Sequence, residues 1–597
     1  MPKRMPGSRE DDSWLSDEQL AKVAPAETEP FQSPIPTRMV SNGEYMPYPQ
    51  TEKQKRVEAR TKELADSASK KLGISRRKFL ASTGGMAAAL LAMNEVFGRF
   101  FDVSPVEMFE AEAFAATGPP PNLFVLDDQS HMVRQTQTQG RSLRAIAQGP
   151  GPASTAAGFL RNPFNAAGLL DELGSPWTPW NPSLGQTPNT GDEFHIVKYI
   201  QRFFLESQVT VSILSNANLG SIPVAGEPNR PPKDIAESLG AESLTGAMTG
   251  GVRDFVNQIA GSTRMLAHGQ LYPGVGNLMD PVYGDYMQWQ IDNFHPDSWK
   301  GYNIATAAKV DTDPDSLMRR WRLDDEAVAY PMYEVIAGNK QELKKHPGFW
   351  NICVHKGLAP GPPDTPERGN PTDIPKAATD WPQFNFIIYH SCIRNGFFDL
   401  DALETIRASE SGAVPLREGV PDISWTTEFA ELSAPFPNVY AELGTTFAGS
   451  VVTFPTVWAH IIGQLLKFLG DDRIVFGSDS LWYGGPQWQL DAFWRFQIPE
   501  EIQQRWGYPA LTKASRRKIL GLNSARLYRL PGAAEAAPRG VYRPVPDNFE
   551  ALIPDSLKTL LEFPGYVSDN FSKMRQRYVE MGGERSNTRH GWIRTKV

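Results

Sequence analysis

Three short apolar segments of the chain each end in a side chain that can bind a metal ion or transfer a proton. Asp479 follows the run Ile-Val-Phe-Gly-Ser, His355 follows Asn-Ile-Cys-Val, and His390 follows Asn-Phe-Ile-Ile-Tyr. Carboxylate and imidazole groups ligate zinc, manganese or iron, and they also act as general acids and bases. Chemical groups at the ends of buried strands are typical of an α/β barrel, which carries its site on the carboxyl rim of its strands.

Alternating strand-like and helix-like segments from Leu123 onward predict the elements that position these groups. The predicted strands are 123–126, 209–214, 264–267, 301–304, 352–354, 386–389, 439–442 and 474–476,. The main helical patterns between them are 194–205, 234–239, 327–338 and 457–469,. Eight strands with intervening helices favour an α/β fold of the (β/α)8 TIM-barrel type over an open sheet. Long insertions at 135–190 and 397–424 follow the first and sixth strands, so we expect them to lie over the active face.

Composition restricts the class of protein. The chain has 597 residues, of which 40% are hydrophobic and 21% charged, as in soluble globular proteins,. Its net charge is -8 and it lacks a basic stripe, which argues against nucleic-acid binding,. The two cysteines, Cys353 and Cys392, are too few for a disulfide framework,.

The N-terminal region has the features of a targeting segment. Ser-Arg-Arg-Lys-Phe-Leu at residues 75–80 precedes a weakly hydrophobic run at 81–93, and small residues at 111–116 offer A-x-A cleavage sites,. This order is typical of a twin-arginine signal and predicts export to the periplasm or another extracytoplasmic compartment. A cytosolic amphipathic helix that begins with a basic turn is the alternative. The run is too short for a membrane span, which needs about 20 apolar residues.

These features divide the chain into four parts. We expect residues 1–74 to form a polar, disordered extension and residues 75–116 to form the signal segment,. The barrel then occupies residues 117–530, and residues 531–597 form a C-terminal extension rich in Pro, Arg and aromatic residues.

The motif Asp-Asp-Gln-Ser-His at residues 127–131 suggests a family. With it the chain resembles the amidohydrolase superfamily, specifically the branch of amidohydrolase-related hydrolases and ACMSD-like decarboxylases. That branch has [DE]-x-H-x-H after strand one, a His after strand five, a His after strand six and an Asp after strand eight. The segment Asn523–Tyr528 is similar to the family's closing N-x-A-x-x-[FY] helix, and the resemblance covers residues 123–530. The matching positions are His131, His355, His390 and Asp479.

The resemblance implies a metal-dependent hydrolase that acts on a C–N or C–O bond of a small carbonyl compound, such as an amide, ester or lactone. It implies one divalent ion, zinc first, with manganese or iron as alternatives. Asp479 would hold a metal-bound water and accept its proton, while His390 would polarise the substrate carbonyl or shuttle a proton. The implied metal ligands are Gln129, His131, His355 and Asp479.

Two positions depart from the family's pattern. Gln129 replaces the first histidine ligand, and its neutral amide oxygen is a weaker ligand than imidazole,. Three interpretations of Gln129 follow. It ligates the ion through its amide oxygen, or it lies outside a shell formed by His131, His355 and Asp479. In the third, the site has lost its metal. We favour a retained single ion, because three ligands suffice for a catalytic site. The second departure is Ser391-Cys392 after His390, where the family usually has glycines.

Two other functions fit the same residues. One is nonoxidative decarboxylation of an aromatic or unsaturated acid, in which His390 helps to deliver a proton to the carbon that loses CO₂. The other is a catalytically silent binding subunit, which the Gln129 substitution and the insertions would allow. Glu442, two residues after Tyr440, is a further candidate on the rim,. We expect a small-molecule carbonyl substrate and no membrane span after processing, and we leave homo-oligomerisation open.

Overall fold

Eight parallel strands form a barrel in which each strand pairs with the next one along the chain. The computed structural model describes residues 33–37, 50–134, 194–216, 244–271, 282–303, 321–357, 369–394, 416–417, 419–531 and 541–563. The strands are β1 (Leu126–Ser130), β2 (Val211–Leu214), β3 (Met265–Gln270), β4 (Ser298–Tyr302), β5 (Asn351–His355), β6 (Asn385–Tyr389), β7 (Val439–Glu442) and β8 (Ile474–Val475). The predicted (β/α)8 barrel is therefore confirmed.

The barrel closes between β1 and the segment that continues β8. The amide of Asp128 donates to the carbonyl of Phe476 at 2.8 Å, and the amide of Asp479 donates to the carbonyl of Gln129 at 2.9 Å. Ser130 and Ser480 form a further parallel bridge. These bonds hold the chemical groups after β1 and β8 next to each other.

Both faces of the strands are buried, which explains their nearly continuous apolar sequence. Inward-facing side chains such as Ile213, Leu266 and Ile387 fill the barrel, and Tyr528 packs with them. Outward-facing side chains such as Trp299 and Val354 pack in the layer of surrounding helices. The core thus fixes which residue of each strand end points into the barrel mouth.

Helices surround the barrel and extend it at both ends of the chain. None of the helices in the described part of the chain combines the length and the apolar character needed to cross a bilayer. The helices are α1 (Glu52–Leu72), α2 (Arg76–Leu80), α3 (Thr83–Phe97), α4 (Ala111–Thr117), α5 (Ile196–Ile200), α6 (Gly246–Ala260), α7 (Val282–Phe294), α8 (Ala329–Gly338), α9 (Ile374–Asp380), α10 (Trp425–Ser433), α11 (Gly444–Ala448), α12 (Pro455–Leu469), α13 (Gln487–Arg495), α14 (Glu500–Trp506), α15 (Lys513–Arg517), α16 (Asn523–Leu527) and α17 (Asp555–Leu560).

The N-terminal helices pack on the barrel domain. The guanidinium of Arg495 donates to the carboxylate of Glu107 at 2.7 Å, and both side chains are buried. The amide of Gln54 reaches the carbonyl of Thr453 at 3.1 Å. Phe79, in the motif predicted to be a signal, is buried. Residues 75–116 are thus part of the folded body in this structure.

Helix α1 differs from the disordered extension predicted for residues 1–74. It begins with a capping box in which Thr51 accepts from the amide of Gln54, and it ends at Gly73 with φ +65°,. Its buried residues, including Val57, Ala65 and Ala68, recur at helical spacing,. The polar composition of this segment hides a narrow apolar stripe, which is sufficient to dock a helix.

Several strand boundaries differ from those predicted, and β3 ends at Gln270 and not at residue 267. Strand β4 begins at Ser298 and not at residue 301, and β1 runs to Ser130 and not to residue 126. The predicted helix at 234–239 and the insertion at 135–190 lie outside the described residues. Part of the predicted C-terminal extension is described, and there the amide of Arg543 donates to the hydroxyl of Ser262 at 2.8 Å.

Candidate active site

His131 and Asp479 lie next to each other where β1 meets the continuation of β8. The Nε2 atom of His131 is 3.1 Å from Oδ1 of Asp479, and both side chains are buried. The amide nitrogen of Gln129 is 3.2 Å from the same His131 Nε2. Gln129 and His131 therefore project from the same face, as their spacing predicts.

His355 and His390 form a second pair on the neighbouring strands β5 and β6. The backbone N–H of Thr445 donates to Nδ1 of His390 at 3.1 Å, so this nitrogen is an acceptor,. Burial lowers the pKa of His390 well below its ordinary value, so the ring is neutral and carries its proton on Nε2,. That nitrogen is 3.1 Å from Nδ1 of His355 and donates to it.

Glu442 at the end of β7 joins this second pair. The backbone N–H of His390 donates to Oε2 of Glu442 at 2.9 Å. Burial raises the pKa of the Glu442 carboxyl well above its ordinary value,. The Oε1 atom of Glu442 is buried and has no hydrogen-bond partner among the described residues.

Thr445 connects the two pairs from the first turn of α11. Its backbone N–H binds His390, as described, while its hydroxyl donates to Oδ2 of Asp479. The same hydroxyl is 3.0 Å from the phenol oxygen of Tyr483. One residue therefore positions a histidine of one pair and the carboxylate of the other.

The backbone of the rim adopts conformations that favour glycine. His390, Ser391 and Cys392 have φ values of +61°, +49° and +56°, and Asp479 has a φ of +54°. Side chains in this region cost free energy that the surrounding structure must supply, and such residues concentrate at functional sites. The family's glycines at 391–392 would fit this turn without that cost.

Lys300 is a rim residue that the sequence analysis missed. Its ammonium group lies 3.5 Å from the centre of the Tyr389 ring and 5.0 Å from that of Tyr302, and the residue is buried. Its charge contributes to lowering the pKa of His268 and of His390, although burial is the larger cause. The pattern Ser298-Lys300-Tyr302 of inward-facing residues would have revealed it, had the strand been predicted to begin at Ser298.

The donor atoms around Asp479 fit a divalent ion. An imidazole nitrogen 3.1 Å from a carboxylate oxygen requires either a proton on His131 Nε2 or a cation bound to both atoms,. The Oε1 atom of Gln129 is buried without a hydrogen-bond partner among the described residues. A methyl group on Gly444 would meet this atom at 2.7 Å and Oε2 of Glu442 at 2.9 Å, so oxygen atoms converge there.

The predicted ligand set is brought together in part. His131, Asp479 and Gln129 are adjacent, whereas His355 lies beside His390. With the Gln129 amide turned so that its oxygen faces His131, two oxygen donors and one imidazole would form a harder set than the family's histidines, and manganese suits such a set. The assignment of His355 as a metal ligand stays a prediction.

The fold and this rim define the chain as a TIM barrel with a polar site at the carboxyl ends of its strands. Residues 409–530 match the amidohydrolase family model, a segment that contains Glu442, Thr445 and Asp479. The match supports the resemblance and the prediction of an amidohydrolase-type enzyme. No curated protein matches the chain in sequence.

Solved structures similar to this chain include three decarboxylases. The 5-carboxyvanillate decarboxylase of Sphingomonas paucimobilis is 13% identical over 68% of this chain and 99% of its own, with a TM-score of 0.34. The 2,6-dihydroxybenzoate decarboxylase of Rhizobium is 14% identical over 69% and 100%, with a TM-score of 0.33. A dihydroxybenzoic acid decarboxylase of Polaromonas, with bound manganese and 2-nitroresorcinol, is 13% identical over 68% and 97%, with a TM-score of 0.35. Likeness at this level does not assign an activity to this chain.

Proposed function

We propose that the chain is an amidohydrolase-type enzyme that removes CO₂ from an aromatic or unsaturated acid without oxidation. The observation that carries this proposal is the buried ammonium of Lys300 on the inward face of β4. Its positive charge raises the electrostatic potential of the rim, which favours an anionic ligand, and a carboxylate is the anion that a decarboxylase must bind. Hydrolysis of a neutral amide, ester or lactone does not call for such a group.

Glu442, at the end of β7, is the candidate proton donor. Decarboxylation breaks the bond between the ring or vinyl carbon and the carboxylate, and CO₂ leaves without the bonding electrons. That electron pair forms a new C–H bond with a proton delivered by the enzyme. The Oε1 atom of Glu442, which has no other partner among the described residues, is a suitable donor,. Solvent then returns the proton to the enzyme.

The neutral pair of His390 and His355 lies beside this donor. His390 binds Glu442 through its backbone N–H and His355 through Nε2. A peptide N–H does not transfer its proton, so this contact orients the Glu442 carboxyl and does not deliver a proton to it. We infer that the pair positions Glu442, which takes up a proton from solvent between turnovers.

Gln129, His131 and Asp479 are the residues that would hold a divalent ion. When bound, the ion would supply positive charge that stabilises the electron-rich state of the substrate. We propose manganese before zinc, because two of the three donors are oxygen atoms. Thr445 keeps the carboxylate of Asp479 aimed at this position.

Hydrolysis is the second candidate. The carboxylate of Asp479 beside the imidazole of His131 could orient a water molecule and accept its proton,. This pair is what the family resemblance implies for a hydrolase. The two candidates share the pair of His131 and Asp479, and they differ in which bond breaks and in whether Lys300 is needed.

Product analysis separates the candidates. The full-length protein, loaded with manganese or zinc, is incubated with hydroxybenzoates and unsaturated acids and with a matched panel of amides, esters and lactones. Release of CO₂ from an acid, abolished by Asp479→Asn, supports decarboxylation. Uptake of water by an amide, ester or lactone without CO₂ overturns it in favour of hydrolysis. No turnover with either panel favours a binding subunit.

The role of Lys300 has its own test. Lys300→Met keeps the length and apolar stem of the side chain but removes the charge. We expect KM for the acid to rise at least about tenfold, corresponding to the loss of roughly 1.4 kcal/mol of binding. An unchanged KM with lower thermal stability would mean that Lys300 only balances buried acids.

Export by the twin-arginine route is a separate proposal. It is supported by the motif at residues 75–80 and by the exposed position of Arg77 in the folded chain. Expression with Arg76→Lys and Arg77→Lys together, followed by fractionation, tests it in a bacterium that has this pathway. We expect the parent outside the cytoplasm and the variant inside; equal cytoplasmic retention of both would contradict export.

A further inference from the structure

A second cluster of metal-binding side chains lies at the opposite end of the barrel. Among the described residues, His295, Glu342 and His346 are the group of three whose ligand atoms lie within 4.8 Å of one another. His295 follows α7 and precedes β4, and the other two residues precede β5. They therefore lie at the amino ends of these strands, away from the candidate active site.

The side chains of this cluster are oriented by their neighbours. The Nδ1 atom of His295 is 3.0 Å from Oε2 of Glu342. The Nδ1 atom of His346 is 2.8 Å from Oδ1 of Asp297, which leaves its Nε2 for another partner. A carboxylate on the far nitrogen is the usual means by which proteins orient a histidine ligand.

Asp297 is itself fixed in place. Its Oδ2 atom accepts from the guanidinium of Arg253 at 3.1 Å and from the backbone N–H of Ala267 at 2.9 Å. Arg253 also donates to the backbone carbonyl of His295 at 2.8 Å. Asp297 and Arg253 thus hold both histidines of the cluster in place.

The backbone also brings the three residues together. His295 has a φ of +46°, an unfavourable value for a residue with a side chain,. Glu342 and His346 share one turn, because the N–H of His346 donates to the carbonyl of Glu342 at 2.8 Å. The two imidazole rings lie 5.9 Å apart and nearly parallel. With 45% of the His295 side chain exposed, an ion can enter from solvent.

We propose that His295, Glu342 and His346 bind a zinc-type divalent ion. Two imidazoles and one carboxylate are a ligand set that zinc accepts, with water in the fourth position. The ion ties the end of α7 to the turn that precedes β5. It is a structural clip, distinct from the ion proposed at the carboxyl rim and independent of the proposed function.

Metal titration of the full-length protein tests this site. Metal-free parent, His295→Ala, His346→Ala and Glu342→Gln are dialysed against zinc, and bound zinc is counted. Cobalt is used in parallel, because its visible spectrum reports tetrahedral coordination. The matched control is Glu334→Gln, which removes an exposed carboxylate on α8 outside the cluster.

We expect each cluster variant to bind one zinc fewer than the parent and to lose the zinc-dependent rise in melting temperature. Glu334→Gln should behave as the parent, and Asp479→Asn should retain the clip ion, which separates the two sites. Glu342→Gln preserves side-chain volume, so it remains informative if a histidine variant fails to fold. Equal zinc stoichiometry and affinity in parent and cluster variants would overturn the proposal.

Discussion

The two halves of the candidate active site differ in the partner that faces the imidazole, which is a carboxylate in one half and a backbone N–H in the other. We call His131, Asp479 and Gln129 the aspartate half, and His355, His390 and Glu442 the histidine half. In the aspartate half a carboxylate faces an imidazole nitrogen at 3.1 Å, which calls for a proton or a cation between them. In the histidine half a backbone N–H donates to the neutral ring of His390, and this contact requires neither an additional proton nor a cation. The first half is built to hold positive charge, and the second holds a neutral ring beside the carboxyl of Glu442.

Asp479→Asn breaks the aspartate half and should have the largest effect. The amide keeps the shape of the side chain but cannot accept a proton or hold positive charge as well. We expect kcat to fall about 1,000-fold, within the range for loss of a general acid or base, whichever bond the enzyme cleaves. Asp472→Asn, an exposed carboxylate at the other end of the same strand, is the control and should leave kcat unchanged.

His390→Asn breaks the histidine half and should have the next largest effect. Asparagine can accept from the Thr445 N–H and tolerates the φ of +61° at this position, but it loses the bond to His355,. We expect kcat to fall about 100-fold while the free energy of unfolding changes by less than about 1 kcal/mol. A large loss of stability with normal activity per folded molecule would show that the pair only supports the fold.

Thr445→Val sharpens the comparison because it touches only one half. The variant removes the hydroxyl that donates to Asp479 and keeps the backbone N–H that donates to His390. We expect kcat to fall about tenfold, equivalent to one hydrogen bond to a charged group. Thr445→Ser should restore activity; if both variants lose the same activity, the hydroxyl is not the cause.

The smallest expected effect is a change in how stability depends on pH, and it concerns Asp127, which lies behind the aspartate half. Asp127 accepts from the backbone N–H of Ser478 at 2.9 Å, and burial raises its pKa to about 7 from a usual 3.8. The folded pKa is the higher one, so this carboxyl's contribution to stability is full below about pH 4 and is lost as pH rises to about 7. Asp127→Asn removes this titration. We expect the free energy of unfolding, measured with urea, to fall between pH 4.5 and 7 in the parent relative to the variant. The decrease should be at most about 1.4 kcal/mol per pH unit.

The sequence was sufficient for most of the barrel because the strands are short apolar runs bounded by polar residues. The predicted β7 coincides with the observed Val439–Glu442, and β5 and β6 differ by about one residue. The error at β4 has a physical cause: Lys300 interrupts the apolar pattern, although tertiary contacts with two tyrosine rings bury it. A buried cation cannot be inferred from local hydrophobicity.

The pairing of the site residues could not be predicted in the same way. Strand ends indicate that His131, His355, His390 and Asp479 lie on one rim, and the structure places all four there. Which imidazole faces which partner depends on Thr445, which comes from a turn with no recognisable motif. The run at residues 81–93 shows the same limit, because small apolar residues suit a signal sequence and a buried helix equally well.

The buried contact between Glu107 and Arg495 can form only after Arg495 has been synthesised. The two residues are 388 positions apart, so at about 5–20 residues per second the partner of Glu107 emerges about 20–80 s later,. During that interval Leu90 and Met93 of the apolar run lack the main core that later covers them, whereas Phe79 already packs with Ala65 and Ala68 of α1. A targeting factor would therefore meet this apolar run in the nascent chain, whereas in the finished protein the run is largely buried and Arg77 and Lys78 are exposed.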